Sequence, residues 1–465
     1  MELRHAAWRS STLPDPQKLP KRSSFPSFVI LLESAIVLVA SWAFLGHDLA
    51  AERHFVDESA YVSQAFYFDL YVGGRWDHPA WLDYAGFDLP PLPKYLIGAS
   101  IWGEGLRRPD LGDARVWYAT GRKSEFAGSP LLIAGRRPMV VLGAAGCLGM
   151  FWLGLMIAGR PAGWVAAALL AINPLYRMHA RRAMSDVPAE AFVILALVLG
   201  LVAWRRAARG ATPGRSWACA LGAGVVIGLA TLAKLNGVLA GLVLVGWVGL
   251  ALVAPGFPSR SRRFLVEAGL VAAPLAFGTF VALNPYLIAR PRPPVAPEFA
   301  AEAAKSFAGR VATVFDHRAT VSRRAMELFP RDALPTLRDR AAAVAVQGFG
   351  RFGPFGPRGW TDSTVRYDWA QDWGAPIWLL VVALGVAVLG RRGRREARAG
   401  RPPLAWLPLV YLGVVLGVIT PFLPLAWDRY FLAIQAPAIL VVATALGPAF
   451  GGRWLSPATV AEDRP

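Results

Sequence analysis

Long apolar stretches, interrupted only at charged or turn-forming positions, divide this chain. A helix needs roughly 20 apolar residues to cross the about 30 Å hydrocarbon core of a bilayer. Ten runs approach that length: Phe25–Leu45, Pro138–Ala158, Ala162–Tyr176, Val187–Trp204, Trp217–Ala233, Val238–Ala254, Phe264–Ile288, Ala375–Leu389, Leu404–Phe422 and Tyr430–Phe450. The third and eighth are short. The first is too long for the apolar region of a cleaved signal peptide and lacks a small-residue cleavage site, so it reads as a retained anchor. The pattern therefore predicts an all-α polytopic membrane protein, a bundle of about ten transmembrane helices with two large connections, 46–135 and 290–374.

Charge placement orients the bundle. Lys and Arg collect in short cytoplasmic loops, and with the N-terminus inside, the tails 1–24 and 451–465, Arg160, and the loops 205–216, 255–263 and 390–403 hold 21 basic against 5 acidic residues. The tract Arg391-Arg392-Gly393-Arg394-Arg395 is the clearest anchor. Both termini are then cytoplasmic, and the two long loops lie on the outer side of a cell membrane. The formal net charge of +18 mostly records this orientation, so it gives no support to nucleic-acid binding. The composition, 55% hydrophobic and 17% charged against roughly 25% charged in a soluble domain, argues against a water-soluble enzyme. Cys147 and Cys219 both sit in apolar runs, which excludes a disulfide framework or a Cys-rich zinc site.

The outer loops carry more than linkers need. The first has a net charge of −4 and interleaves Tyr61, Phe66, Tyr67, Phe68, Tyr71, Trp76, Trp81, Tyr84 and Phe87, a density that suits a membrane interface. Asp57 is placed to cap a helix from Glu58 to about Val72 with its aromatic face in the membrane plane. Pro90 to Gly103 is too short to span and reads as an interfacial or re-entrant helix. The second loop, net +4, predicts helices near Glu298–Val314 and Thr336–Val346 before a Gly/Pro stretch at 348–359. It is large enough to form a lid and too small for an independent enzyme domain.

Several charged groups fall at the outer membrane edge, where burial is costly and an ionisable side chain usually pairs or works. Asp57-Glu58 offers a general base with its partner, or ligands for a divalent metal; the alternative is a helix cap with a favourable dipole contact. Arg181-Arg182 in the turn before Asp186 suits a phosphate clamp, with Asp186 orienting an acceptor or an arginine; the alternative is head-group snorkelling and capping. Lys94, Lys234 and Arg429 add cations at the same depth, each an interface anchor when alone and part of an anion pocket if they converge. Glu33, inside the first run, is either functional or hydrogen-bonded within the bundle. Gly237 and Gly241 form a small-xxx-small step that suits helix packing. Nucleotide-binding and zinc-protease motifs are absent from the sequence.

In order along the chain stand the Asp57-Glu58 pair, the Pro90-Pro91-Leu92-Pro93-Lys94-Tyr95-Leu96 segment, the Arg181-Arg182-Ala183-Met184-Ser185-Asp186 turn, the step from Thr231 through Lys234 to Gly237, and Arg429-Tyr430. This order resembles the GT-C superfamily, and more narrowly the bacterial phospholipid-carrier-dependent glycosyltransferases related to protein O-mannosyltransferases and the aminoarabinose transferase of lipid A. The resemblance runs over roughly Phe25 to Phe450. It implies a GT-C-like catalytic module that moves a sugar from a polyprenyl-phosphate donor to an acceptor hydroxyl on the outer side of the membrane. The acceptor is a glycan, lipid or protein, and no nucleic acid takes part. Asp57 would sit by the acceptor. Asp88 stands where the family often has His, which leaves that position's role as acceptor-side or orienting residue open. Chemically, a carboxylate takes the acceptor proton and cations meet the phosphate leaving group, tasks that fit Asp57 and the set Lys94, Arg181, Arg182, Lys234 and Arg429. A divalent cation at Asp57 and Glu58 is left open. The rival class is a transporter or flippase of a lipid-linked sugar, which often shows repeated halves and broken helices; no half-to-half similarity is visible in this sequence.

Overall fold

A computed structural model describes residues 28–120, 128–210, 213–292, 295–355 and 374–450. The expected basic tails, the first residues of the first run, Pro293-Pro294 and the later part of the Gly/Pro stretch lie outside the described residues. Among the described residues, eight helices are long and apolar enough to cross a membrane: Phe28–Gly46, Pro130–Ala158, Asp186–Ala208, Gly214–Ala233, Leu235–Val253, Ser259–Ala282, Pro376–Arg398 and Leu404–Phe422. Two shorter apolar helices, Arg160–Ile172 and Leu432–Gly447, complete the correspondence with the ten runs. Among the described residues no strand forms, and one isolated antiparallel bridge joins Ala333 to Leu425.

Burial grades across the bundle. In Asp186–Ala208, 67% of the apolar stretch is buried, whereas in Phe28–Gly46 and Ser259–Ala282 only 22% is. The latter two therefore present Leu32, Trp42, Leu270 and Phe277 outward, as a helix in contact with lipid must. The centre is tied by two buried tryptophans whose ring N–H groups find carbonyls: Trp204 donates to Trp247 O and Trp247 to Leu407 O, each at 3.0 Å. Glu33 pairs with Arg160 and accepts from Trp164 Nε1 at 3.2 Å, which is the bundle-bonded reading of that residue.

Departures from the sequence expectations have local causes. The second helix starts at Pro130, not Pro138, because Ser129 caps it through Leu132 N and Arg136, an unfavourable residue in an apolar count, is neutralised inside the fold. The third run breaks at Asn173, whose side chain accepts from Tyr176 N at 2.9 Å and donates to Gln435 at 3.1 Å. The next residue, Pro174, has no N–H to continue the ladder, so a separate helix, Pro174–Ala180, leads into the Arg181 turn. In the first long loop, the expected single helix is two, Val56–Ser63 and Tyr67–Val72. Its cap is Phe55, not Asp57, and these aromatics pack inward: Tyr61, Phe66, Tyr67 and Trp81 are all buried. Pro91–Gly103 is likewise a packed helix that buries Lys94, Tyr95, Ile97 and Ile101. In the second loop, Pro297–Ala303, Phe307–Leu328 and Leu337–Ala343 are helical, the last capped reciprocally by Thr336 and Asp339.

Candidate active site

The helix that carries Asp57 is fixed by its neighbour. Glu58 is fully buried, and its carboxylate accepts from Arg136 Nε and Nη2 at 2.8 Å each, from Ala183 N at 2.8 Å and from Phe55 N at 2.9 Å. Arg136 spends its remaining donors on the carbonyls of Leu49, Glu52 and Arg53. A buried ion pair persists only when both partners are this fully hydrogen-bonded. Adjacent residues of a helix point in different directions, so locking Glu58 inward turns Asp57 the other way.

Asp57 there meets Arg429 in an ion pair, with side chains 28% and 21% exposed. The Arg429 guanidinium lies 4.8 Å over the Trp427 ring and 5.7 Å over Tyr430. The Lys234 amine stands 5.9 Å from the same Tyr430 ring and donates to Asp186 Oδ1 at 2.6 Å. Two cations, each paired with a carboxylate, thus meet at one tyrosine ring. Burial works against the charge on Arg429, but Asp57, Tyr430 and Asp186 more than offset it and hold the guanidinium firmly protonated. Tyr61, buried beneath and donating to Ser185 Oγ at 2.7 Å, has its hydroxyl pushed up by burial and by the charges of Asp186 and Asp57.

Short segments deliver these groups. Lys234 ends the fifth apolar helix, and the tight turn after it requires Gly237, where a Cβ would overlap the backbone of Ala230; the glycine serves this turn more than a helix–helix seam. Arg429 sits in the 3-10 turn Asp428–Tyr430. The second long loop straps that turn: Leu334 N donates to Pro424 O at 3.0 Å, Ala426 N to Asp332 O at 2.8 Å, and Trp427 Nε1 to Asp332 Oδ2 at 3.0 Å. Asp428 is lowered overall, since burial is outweighed by His179 and Arg182 beside it.

Other expected site residues lie elsewhere. Arg181 caps the end of the first span through the carbonyls of Leu45 (2.9 Å), His47 (2.5 Å) and Asp48 (2.6 Å) and pairs with Glu52 at 3.0 Å. Arg182 is buried against Phe55, with Glu52 and Asp428 at 3.7 and 4.0 Å. Both spend their charge on the loop and turn that flank the Tyr430 cluster. Lys94 is fully enclosed, donates to Ala85 O at 2.5 Å and sits 4.8 Å over Tyr67; burial lowers its amine to about 7. Asp88 joins a separate cluster with His317, Arg318 and Tyr118. Burial alone would raise Asp88, but the hydrogen bonds and charge of these partners bring it well below the usual carboxylate range.

A divalent cation shared by Asp57 and Glu58 does not fit this arrangement, because Glu58 has four donors on its carboxylate and Asp57 faces Arg429. Among the described residues no group of three or more His, Cys, Asp or Glu is placed to hold a metal. Sequence reasoning missed Arg136, Trp427, His317 and Arg318, and read Tyr61 only as one of the loop's interfacial aromatics. Arg136 left a signal as a charge beside an apolar run.

Compared with known proteins, the sequence family described as dolichyl-phosphate-mannose-protein mannosyltransferase matches residues 87–258. Among solved structures, the fold is similar to the oligosaccharyltransferase AglB from Archaeoglobus fulgidus, in complex with an inhibitory peptide and a dolichol-phosphate: TM-score 0.52 and 13% identity over 91% of this chain and 51% of that one. ArnT from Cupriavidus metallidurans bound to undecaprenyl phosphate is similar with TM-score 0.46 and 16% identity, over 94% of this chain and 62% of that one. The S. cerevisiae protein O-mannosyltransferase Pmt1-Pmt2 complex bound to the sugar donor has TM-score 0.40 and 16% identity, over 56% of this chain and 34% of that one. The chain thus spans 34% to 62% of the length of these three structures. In sequence, no curated protein matches it.

Proposed function

We propose, from the premise that this chain belongs to the GT-C superfamily of glycosyltransferases, that it transfers a sugar from a polyprenyl-phosphate donor to an acceptor hydroxyl with inversion at the anomeric carbon. The observation that carries this reading is the meeting of the Asp57–Arg429 and Asp186–Lys234 pairs at Tyr430. One carboxylate and two cations are what such a displacement needs. The acceptor oxygen attacks the anomeric carbon and its proton passes to Asp57. The carbon–oxygen bond to phosphate breaks, and the electron pair leaves with the lipid phosphate, which therefore needs no general acid. Arg429 and Lys234 lie where that charge grows.

In the resting structure Asp57 engages the Arg429 guanidinium. An arriving phosphate competes for that guanidinium and releases the Asp57 carboxylate to face the acceptor hydroxyl. Glu58 is then a positioning residue, and Asp186 holds Lys234. The lipid tail lies along the bundle, and the positive-inside asymmetry of the sequence supports a site on the outer face.

Reconstituting the full chain in liposomes with labelled polyprenyl-phosphate hexose, pentose or amino sugar and an envelope extract tests this reading. Label is expected in an acceptor, with free polyprenyl phosphate released in equal amount. Passage of intact labelled lipid-sugar across the bilayer, with no cleavage, would instead make the chain a flippase.

A further inference from the structure

The densest group of charged and aromatic side chains outside the Tyr430 cluster lies where the two long loops meet. Asp88, 9% exposed, accepts from Arg318 Nη2 at 2.5 Å, from His317 Nε2 at 2.8 Å and from the Tyr118 hydroxyl at 2.7 Å. Tyr118 in turn accepts from Gln64 Nε2 at 2.9 Å, and Gln64 closes the helix that carries Asp57. The rings of Tyr84 and Phe87 stand edge-on to His317 at 5.1 and 5.4 Å. Asp88 thus carries two donors on Oδ1 and one on Oδ2. Its work is to hold the helix Phe307–Leu328 of the second loop in place.

That helix delivers one group that is not saturated. Arg318 is 34% exposed, and Asp88 engages only its Nη2 among the described residues. Its side chain lines a cavity with Asp88, Pro90, Pro91, Asn284 and Leu235, and Leu235 is the residue after Lys234. The Arg318 charge is also felt at the Tyr61 hydroxyl, together with those of Asp186 and Asp57, so it belongs to the same electrostatic neighbourhood. A guanidinium with one edge fixed by a carboxylate and the other open suits a phosphate oxygen.

We propose that Arg318 is a further donor-binding residue, gripping the lipid-linked phosphate from the second loop opposite Lys234, and that Asp88 is its positioning residue. The inference rests on the lipid-phosphate reading above. It also explains why the second loop is tied to the Asp57 helix through Gln64 and Tyr118: the base and the phosphate clamp are held in one register.

Binding of undecaprenyl phosphate, with undecaprenol as the neutral control, to the full chain in detergent separates the two claims. The wild-type chain is expected to prefer the phosphate lipid, and Arg318→Gln to bind it about tenfold or more weakly while binding undecaprenol as the wild type does, the loss typical of one charge-assisted contact. Asp88→Asn should lower the melting temperature, because it loosens the helix Phe307–Leu328, and should raise the donor KM more than the acceptor KM, with Asp88→Glu recovering part of both losses. Equal binding of phosphate lipid and undecaprenol by the wild-type chain would overturn the lipid-phosphate reading itself. A wild-type preference that Arg318→Gln fully keeps would overturn the role of Arg318 alone. A loss in Asp88→Asn that raises both KM values by the same factor would reduce Asp88 to a structural contact.

Discussion

Replacing Arg136 with Met isolates what the buried pair beneath the site contributes. The guanidinium is 1% exposed and makes two 2.8 Å bonds to a carboxylate that is itself fully buried. Methionine fills much of the volume but leaves Glu58 charged, with only Ala183 N and Phe55 N as donors. Breaking such a pair by removing one partner costs about 3–5 kcal/mol, because an uncompensated charge stays inside. Glu58→Gln added to Arg136→Met removes that charge while keeping an oxygen for the two backbone donors, so the double variant should recover at least about 2 kcal/mol relative to the sum of the singles. Thermal unfolding in detergent, followed by tryptophan fluorescence, reads both quantities. A cost below about 1 kcal/mol for Arg136→Met, or simple additivity in the double variant, would refute the reasoning.

Three further outcomes follow from the same contacts. Lys94, lowered to about 7 by burial against about 10.4 in an unfolded chain, destabilises in full below pH 7; the penalty fades as pH rises from there toward about 10.5. The stability advantage of Lys94→Met should therefore shrink by about 2 kcal/mol between pH 7 and 9, and parallel pH profiles for the two chains would contradict it. Gly237→Ala should depress transfer activity well beyond its effect on melting temperature, since the Lys234 turn must open to clear the Ala230 backbone; unchanged kcat would argue against that turn placing the lysine. Asp332→Ala removes the acceptor of the Trp427 indole and should cost about 1 kcal/mol while raising the donor KM through a looser Arg429 turn; a loss of stability with all kinetic constants intact would leave the strap purely structural.

The membrane helices were legible because hydropathy is a local property: each span declares itself within about 20 residues. Even the short third and tenth helices were readable in this way. The site was legible only in its residue types. Asp57 and Glu58 are neighbours in sequence but face opposite environments, which no spacing argument separates, because the difference is made by Arg136, 78 residues on. Asp57 meets Arg429 across 372 positions and Asp88 meets Arg318 across 230. Arg181 and Lys94 looked like free cations because, apart from Glu52 on Arg181, their hydrogen-bond partners are backbone carbonyls, which carry no sequence identity. The inward aromatic face of the first long loop was misread for a related reason: Tyr67 and Trp81 suit a lipid interface and a buried core equally well, and only packing chooses.

The central claim is that Asp57 takes the acceptor proton. Its most direct test is the single-turnover rate of Asp57→Asn with saturating polyprenyl-phosphate sugar, after donor binding has been shown to persist. Loss of a general base predicts a fall of about 10²–10⁴-fold in the transfer step with donor affinity equal to or tighter than wild type, since Arg429 is released to the phosphate. A transfer rate within about threefold of wild type, against the about 100-fold floor expected for losing a general base, would contradict it.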